Sequence, residues 1–475
     1  MLEYRCAGVL LPVFSLPGPY GIGTMGRQAR DFVDFLAAAG QSYWQILPLV
    51  PPGEGESPYM SPSTFAGNPL LIDLDELAEE GLLTPQELES AKYPDPDRVN
   101  YEFLRQTRMD LLRQAFRRAP APEADWPWLE EYTAFMAHHD LYNTSWQEWP
   151  KPLPAPDAES VAFHTFLQAT FFRQWHALKR YANERGIKLI GDLPIYVSSD
   201  SVEVFSHPEL FQLDDTFSPS SIAGVPPDAF SDVGQLWGNP LYDWDGHREE
   251  VFAWWKQRMS WAATLYDAVR IDHFRAFHTY WSVPVGAADA REGHWEQGPG
   301  QDLVDYLREE VPGLEYIAED LGDLDEHALS FIRNSGLPGM KVMVYAFDPV
   351  GESAYLPHNG VLNSVMYTGT HDTPTFVQWL FDEASEAERK YAIDYLRLRA
   401  DEGFGWGVIA GAWASPCRLA IAPFQDVLGL GADARLNHPG TMGPLNWSWR
   451  VRGESMNREV ASTLRHITRT YRRCL

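Results

Sequence analysis

The sequence predicts an α/β protein built as a (β/α)8 TIM barrel with large insertions after strands 2 and 3, and three observations carry that prediction. A short apolar run recurs eight times, several of the runs are followed by an amphipathic helical pattern, and no G-x-G-x-x-G follows the first run. The last point disfavours a doubly wound dinucleotide-binding sheet, and strand-then-helix units in this number fit a closed barrel. The runs occupy residues 7–11, 42–47, 188–192, 268–272, 315–319, 341–345, 364–368 and 417–423. Each is short and apolar, as strands buried on both faces are. Helical patterns follow at 27–39, 164–184 with a glycine stop at Gly186, 325–334 and 385–399, and a basic helix is expected at 457–473. No internal repeat, heptad run or low-complexity tract is present.

The whole chain, 1–475, is expected to be a single catalytic barrel. Residues 48–162, after the second strand, are too long for a loop and carry helical patterns at 101–119 and 128–139 together with the tract K-P-L-P-A-P at 151–156. They are expected to form an inserted subdomain. Residues 197–261, after the third strand, hold the densest Gly, Pro and aromatic segment, A-G-V-P-P-D-A-F-S-D-V-G-Q-L-W-G-N-P-L-Y-D-W from Ala223. Insertions after barrel strands overhang the active face, so the loop at 224–242 is expected to cover substrate.

Composition narrows the function. Of 475 residues 45% are hydrophobic and 22% charged, which describes a folded chain with a large core. Lys+Arg 38 against Asp+Glu 66 gives a net charge of -28, a field that repels phosphate backbones and anionic lipids, so neither nucleic acid nor membrane is an expected partner. The 18 Trp, 21 Tyr and 24 Phe are more aromatic surface than a core requires and point weakly to a neutral ring-shaped ligand such as a sugar. Cys6, Cys417 and Cys474 lie far apart without C-x-x-C spacing, which excludes a zinc motif or a disulfide framework and fits a reducing compartment. The N-terminal apolar run is interrupted by Pro12 and preceded by Glu3 and Arg5, unlike a signal segment, so a cytoplasmic protein is expected.

Four acidic residues end or follow predicted strands: Asp192 in I-K-L-I-G-D-L-P, Asp272 in A-V-R-I-D-H-F-R, Glu319 in Y-I-A-E-D-L-G and Asp372 in V-M-Y-T-G-T-H-D. Barrel chemistry is assembled on that C-terminal rim, and clustered carboxyls push one another's pKa values apart, leaving one ionised as nucleophile and one protonated as acid. Retaining glycoside hydrolysis uses such a pair. Arg270 stands two residues before Asp272, on the same side of the strand, where its guanidinium favours the ionised carboxylate. His273 and His371 adjoin acids, but the spacing matches no metal motif, so sugar hydrogen bonding is favoured and neither metal nor cofactor is expected.

With these motifs in place, the chain resembles the 4-α-glucanotransferases of the amylomaltase, or disproportionating-enzyme, family within the α-amylase clan. The matching strings run through nearly the whole sequence: G-V-L-L-P-V-F-S-L-P-G-P-Y-G-I-G from Gly8, W-Q-I-L-P-L from Trp44, S-P-Y-x-S-P-S-x-F-A-G-N-P from Ser57 and G-D-L-P-I-Y-V from Gly191. They continue with P-P-D-x-F-S from Pro226, G-Q-x-W-G-N-P-L-Y from Gly234, R-I-D-H-F-R from Arg270, A-E-D-L-G from Ala318, G-T-H-D from Gly369, N-H-P-G-T from Asn437 and N-W-S-W-R from Asn446. The resemblance implies a retaining double displacement with Asp272 as nucleophile, Glu319 as acid/base and Asp372 as the residue that stabilises the distorted sugar ring. It further implies donor-sugar support from Arg270 and His371, a framework or hydroxyl role for Asp192, stacking on Tyr59, and an acceptor side lined by Asp228, Phe230, Trp237 and Asn239. The substrates implied are α-1,4-glucans: maltooligosaccharides and chains of starch or glycogen. An α-glucan hydrolase on the same machinery and a catalytically silent glucan binder are the alternatives. A full set of three acids disfavours the silent binder, and constant reducing ends on maltotriose separate transfer from hydrolysis.

The chain departs from many relatives after P-P-D, where Tyr-Phe is replaced by Ala229-Phe230. One ring fewer on the acceptor side leaves water a better competitor for the intermediate. Ala229→Tyr is therefore expected to lower the reducing ends gained per transfer event on maltotriose, and an unchanged or higher ratio would refute acceptor control at that position.

Overall fold

A computed structural model of the chain describes residues 4–119, 124–227, 231–322 and 324–473. Twelve strands form among them: β1 (Cys6–Leu10), β2 (Tyr43–Gln45), β3 (Lys188–Leu193), β4 (Ser221–Val225), β5 (Gln235–Pro240), β6 (Ala268–Ile271), β7 (Thr279–Pro284), β8 (His294–Gln297), β9 (Glu315–Ala318), β10 (Gly339–Val342), β11 (Ser364–Tyr367) and β12 (Leu419–Pro423). Eight of them close a barrel in the order β1-β2-β3-β6-β9-β10-β11-β12, with β12 returning to β1 and every neighbouring pair parallel. Each of the eight apolar runs supplies one barrel strand. Their residues are almost entirely buried, because helices cover the outside and side chains fill the inside.

One strand is displaced from its expected position. Of the run at 341–345 only Lys341 and Val342 pair, and β10 begins instead at Gly339, with Met343–Tyr345 turning into a 3-10 helix. Two polar groups explain the shift. The Met340 N–H donates to Asp320 Oδ1 at 2.6 Å, and a Cβ on Gly339 would stand 2.2 Å from Asp320 Oδ2. Only glycine permits the approach, so the strand begins at a residue that sequence propensity would reject.

The outer layer includes the helices Arg27–Ala38, Ala158–Glu184, Arg248–Leu265, Gln301–Glu310, Glu326–Ser335, Phe404–Ala414 and Arg458–Thr470. The helix expected at 164–184 starts earlier because Asp157 caps it, accepting from Ser160 N–H at 2.8 Å. The helix expected at 385–399 is Glu386–Leu396, opened by the Ser385/Glu388 capping box and ended by Arg397 in the left-handed region.

Between β2 and β3 the chain forms several helices, of which Tyr101–Arg118 and Leu129–Tyr142 pack on Ala158–Glu184. The stretch 197–261 divides physically. Its first part gives β4 and β5, whereas Arg248–Leu265 is an outer-layer helix packed between Ala158–Glu184 and Gln301–Glu310. Within the segment 224–242, Gly224–Val225 belong to β4 and Gln235–Pro240 are β5. β4 and β5 join β7 and β8 in a four-stranded antiparallel sheet of order β5-β4-β7-β8. The β7–β8 hairpin, which follows β6, was not expected from the sequence. Among the described residues no helix is long and apolar enough to cross a membrane.

Gly191 shows how tightly the helix layer seats on the strand that carries Asp192. A Cβ there would lie 2.4 Å from the ring of Tyr266, itself buried. Gly191→Ala is expected to destabilise the fold by about 1–3 kcal/mol through overpacking, read as a lower thermal midpoint; an unchanged midpoint would show that the ring yields freely.

Candidate active site

The rim acids are held by backbone that is still part of the sheet. Asp272 and Glu319 are the first residues past β6 and β9, yet the ladder runs on through them: Asp272 N–H donates to Leu193 O at 2.9 Å and Glu319 N–H to Ile271 O at 3.0 Å. The Phe274 N–H then closes on Glu319 O at 3.1 Å. Both carboxyls therefore project from positions with little freedom.

The β3–β6 register sets Asp192 beside Arg270. Arg270 Nη1 donates to both Asp192 oxygens, at 2.7 and 2.9 Å, and Nη2 reaches Asp272 Oδ1 at 2.8 Å. The Asp192 side chain has no exposed surface and that of Arg270 only 4%. Tyr59, from the segment after β2, donates its hydroxyl proton to Asp192 Oδ2 at 2.7 Å, so its oxygen is left to accept from His371 Nε2 at 2.9 Å. The same Nε2 lies 3.1 Å from Asp372 Oδ2, and the ring stacks on Tyr59 with centroids 5.3 Å apart. Asn437 Nδ2 donates to Asp372 Oδ1 at 2.7 Å, and Arg435 Nη2 to the Asp372 carbonyl at 3.2 Å. One polar chain thus runs from Asp272 through Arg270, Asp192, Tyr59, His371 and Asp372 to Asn437.

Glu319 is held differently. Its Oε2 accepts from the His273 N–H at 2.6 Å and its Oε1 from the Leu321 N–H at 2.9 Å. His273 presents that N–H from the left-handed region, φ 47 and ψ 46, uncommon for a residue with a side chain. Burial keeps its imidazole neutral, with the pKa lowered to about 4.

These environments spread the carboxyls. Burial pushes Glu319 up to about 7, against the pull of Arg270 and the two N–H donors and with the push of Asp272. Asp272 is also raised by burial, with help from Asp192 and Asp372, but Arg270 restrains it to about 6. At Asp372 the effect of burial is overcome by His371, Asn437 and Arg270, and the group falls to about 2. Arg270 does favour the ionised form of Asp272, but it shares its charge with Asp192, and Asp272 stays above an ordinary aspartate.

Five of the residues singled out in the sequence, Tyr59, Trp237, Asn239, Asp272 and Asp372, line a cleft of about 940 Å³ over the barrel mouth. Glu319, 9% exposed, stands with Arg270, His273, His371 and Asp192 in or behind its wall. Asn239 Nδ2 donates to Val197 O at 2.7 Å, so its amide nitrogen already serves the scaffold. Asp228 and Phe230 lie outside the described residues. Asn437, Arg435 and Trp447 were given no site role from the sequence, although the strings N-H-P-G-T and N-W-S-W-R contain two of them. Trp447 lines the cleft, 5.7 Å from the Tyr59 ring.

A parallel eight-stranded barrel whose rim gathers Asp272, Glu319 and Asp372 around one buried guanidinium is the kind of arrangement that enzymes cleaving glycosidic bonds through paired carboxyls use. Comparison with known proteins specifies the family. The model of glycoside hydrolase family 77, 4-alpha-glucanotransferase, matches residues 11–456. The 4-alpha-glucanotransferase of Clostridium butyricum is 43% identical, covering 97% of this chain and 99% of that protein, and that of Thermus thermophilus is 43% identical with 97% of each covered. Among solved structures, the amylomaltase of Streptococcus agalactiae in complex with acarbose superposes with a TM-score of 0.93 at 38% identity, covering 99% of this chain and 100% of that one. The chain belongs to the 4-alpha-glucanotransferase family. Its activity is glucan transglycosylation, by the double displacement general to that family.

Asn437 holds the most acidic of the three carboxylates. Removing its donor with Asn437→Ala is expected to raise the Asp372 pKa and to lower maltotriose turnover by about tenfold; an unaffected rate of glucose release would show that Asp372 needs no such support.

Proposed function

We propose that Asp272 is the nucleophile, Glu319 the acid/base and Asp372 the transition-state stabiliser of this transfer. The contacts of the three carboxyls carry the reading: Asp272 takes one arm of Arg270, which favours its ionised form, Glu319 meets only backbone N–H donors and is raised by burial, and Asp372 is held ionised by His371 and Asn437. Near neutral pH Asp272 is mostly ionised and Glu319 substantially protonated, the states that the first displacement needs. Asp272 attacks the anomeric carbon, the glycosidic C–O bond breaks, and the Glu319 proton passes to the leaving oxygen. The 4-hydroxyl of the acceptor then gives its proton to Glu319 as its oxygen displaces Asp272, restoring an α-1,4 bond. Asp372, ionised throughout, faces the positive charge that develops on the ring.

Tyr59 stacks on a donor sugar, with Arg270, His273 and His371 supporting the cleavage point and Asp192 holding Arg270. Trp237 and Asn239 line the acceptor side. The substrates are maltooligosaccharides and the chains of starch or glycogen, a reading supported by acarbose in the Streptococcus agalactiae amylomaltase. No metal or cofactor takes part. Residues 1–475 work as one catalytic barrel in the cytoplasm, with 48–162 as a subdomain and 197–261 as the segment that walls the cleft. Water competes with the acceptor for the intermediate, so transfer depends on walls that position a sugar hydroxyl and exclude water.

Asp272→Ala and Glu319→Gln are each expected to abolish maltotriose turnover while the chain stays folded, and substantial turnover by either at unchanged binding would refute its role. The parent kcat/KM should follow a bell in pH. It falls below about 6 as the Asp272–Glu319 pair takes up its second proton, and above about 7 as the pair loses its last. A plateau across this range would contradict the assignment.

A further inference from the structure

The Glu319 carboxyl depends on the backbone of a residue whose own conformation is unusual. Its Oε2 accepts the His273 N–H at 2.6 Å, and His273 lies in the left-handed region, at φ 47. An L side chain pays about 1–2 kcal/mol for that region, so something must hold it there. The His273 ring meets the Trp237 ring edge-on, centroids 4.9 Å apart and planes at 83°. Trp237 is fixed in turn by its own strand, β5, where Nε1 donates to Gln235 Oε1 at 3.2 Å. One side of the Trp237 indole lines the cleft.

We infer that Trp237 and left-handed His273 form a positioning relay that presents a backbone N–H to Glu319, so that the indole on the acceptor side of the cleft helps set the protonation of the acid/base. The inference rests on the reading of Glu319 as acid/base. Trp237 and His273 act here through Glu319 rather than on the reacting atoms. The N–H favours the ionised carboxylate, so its loss raises the Glu319 pKa and carries the basic limb of kcat/KM to higher pH. The other groups that face Glu319 remain in every variant: Arg270 and Asp272 from β6 and its end, the Leu321 N–H from its own segment, and Tyr345 and Tyr355 from the segment after β10. A moved limb therefore reports the His273 N–H.

The test is the pH profile of kcat/KM on maltotriose for the full chain and five variants. Trp237→Ala and His273→Ala are expected to move the basic limb up by about one pH unit, since alanine resists the left-handed region and nothing holds it there. Trp237→Phe keeps an edge for the imidazole, and His273→Gly adopts the left-handed region without strain; both should hold the limb near that of the parent, whatever their amplitudes. A limb unmoved in Trp237→Ala, or moved as far by His273→Gly as by His273→Ala, would overturn the relay. Glu319→Gln separates the two levels: an inactive variant leaves the acid assignment standing, and an active one removes both the assignment and the relay built on it.

Discussion

Everything at the mouth of this barrel is arranged around a guanidinium that has nowhere else to go. Arg270 projects from β6 with 4% of its side chain exposed, and Asp192, with none, is its partner across the β3–β6 pairing. Either group alone would be a charge stranded in low dielectric, and removing one member of such a pair typically costs several kcal/mol. The pair thus ties the local register of the barrel to its chemistry. A slip of one residue between β3 and β6 would turn Arg270 from Asp192 and bury two unpaired charges. The second arm of the guanidinium reaches Asp272, and the second oxygen of Asp192 engages Tyr59. A structural ion pair and an active-site charge are therefore one object.

From that fixed charge outward, three carboxyls of nearly the same intrinsic acidity are made unlike by what touches them. Glu319 is enclosed and sees only backbone donors directly; Asp272 has a share of Arg270; Asp372 has an imidazole and a carboxamide. The differences do not require exotic groups. They follow from which strand end each residue occupies and from how much opposite charge that end receives.

Much of this is legible in one dimension, for a physical reason. Barrel strands are short continuous apolar runs because both faces are buried, and rim residues sit at their C-terminal ends, so I-G-D, R-I-D and I-A-E mark wall and catalytic edge together. What is not legible is what depends on distant partners. β10 starts at Gly339 because Asp320 lies against it, a packing fact with no local signature. The β7–β8 hairpin forms by pairing with β4, more than fifty residues away, and its run T-Y-W-S-V-P reads equally well as an aromatic loop. Asn437 and Trp447 reach the site from beyond the last barrel strand, where no periodic pattern announces them. In the segment expected to cover substrate, glycine and proline density signals irregularity but does not say that β4 and β5 will find a sheet to join.

The closure of the barrel has a consequence in time. β1 pairs with β2 on one side and β12 on the other, with Cys6 opposite Leu419, and the helix that follows β1 packs against Arg458–Thr470. A nascent chain holds β1 with one edge unsatisfied until more than four hundred further residues have appeared. The carboxylate clasp at Asp372 waits even longer, for Asn437. A chain that ends before β12 lacks the pairing that closes the sheet, so the rim is complete only once both β12 and Asn437 have been made.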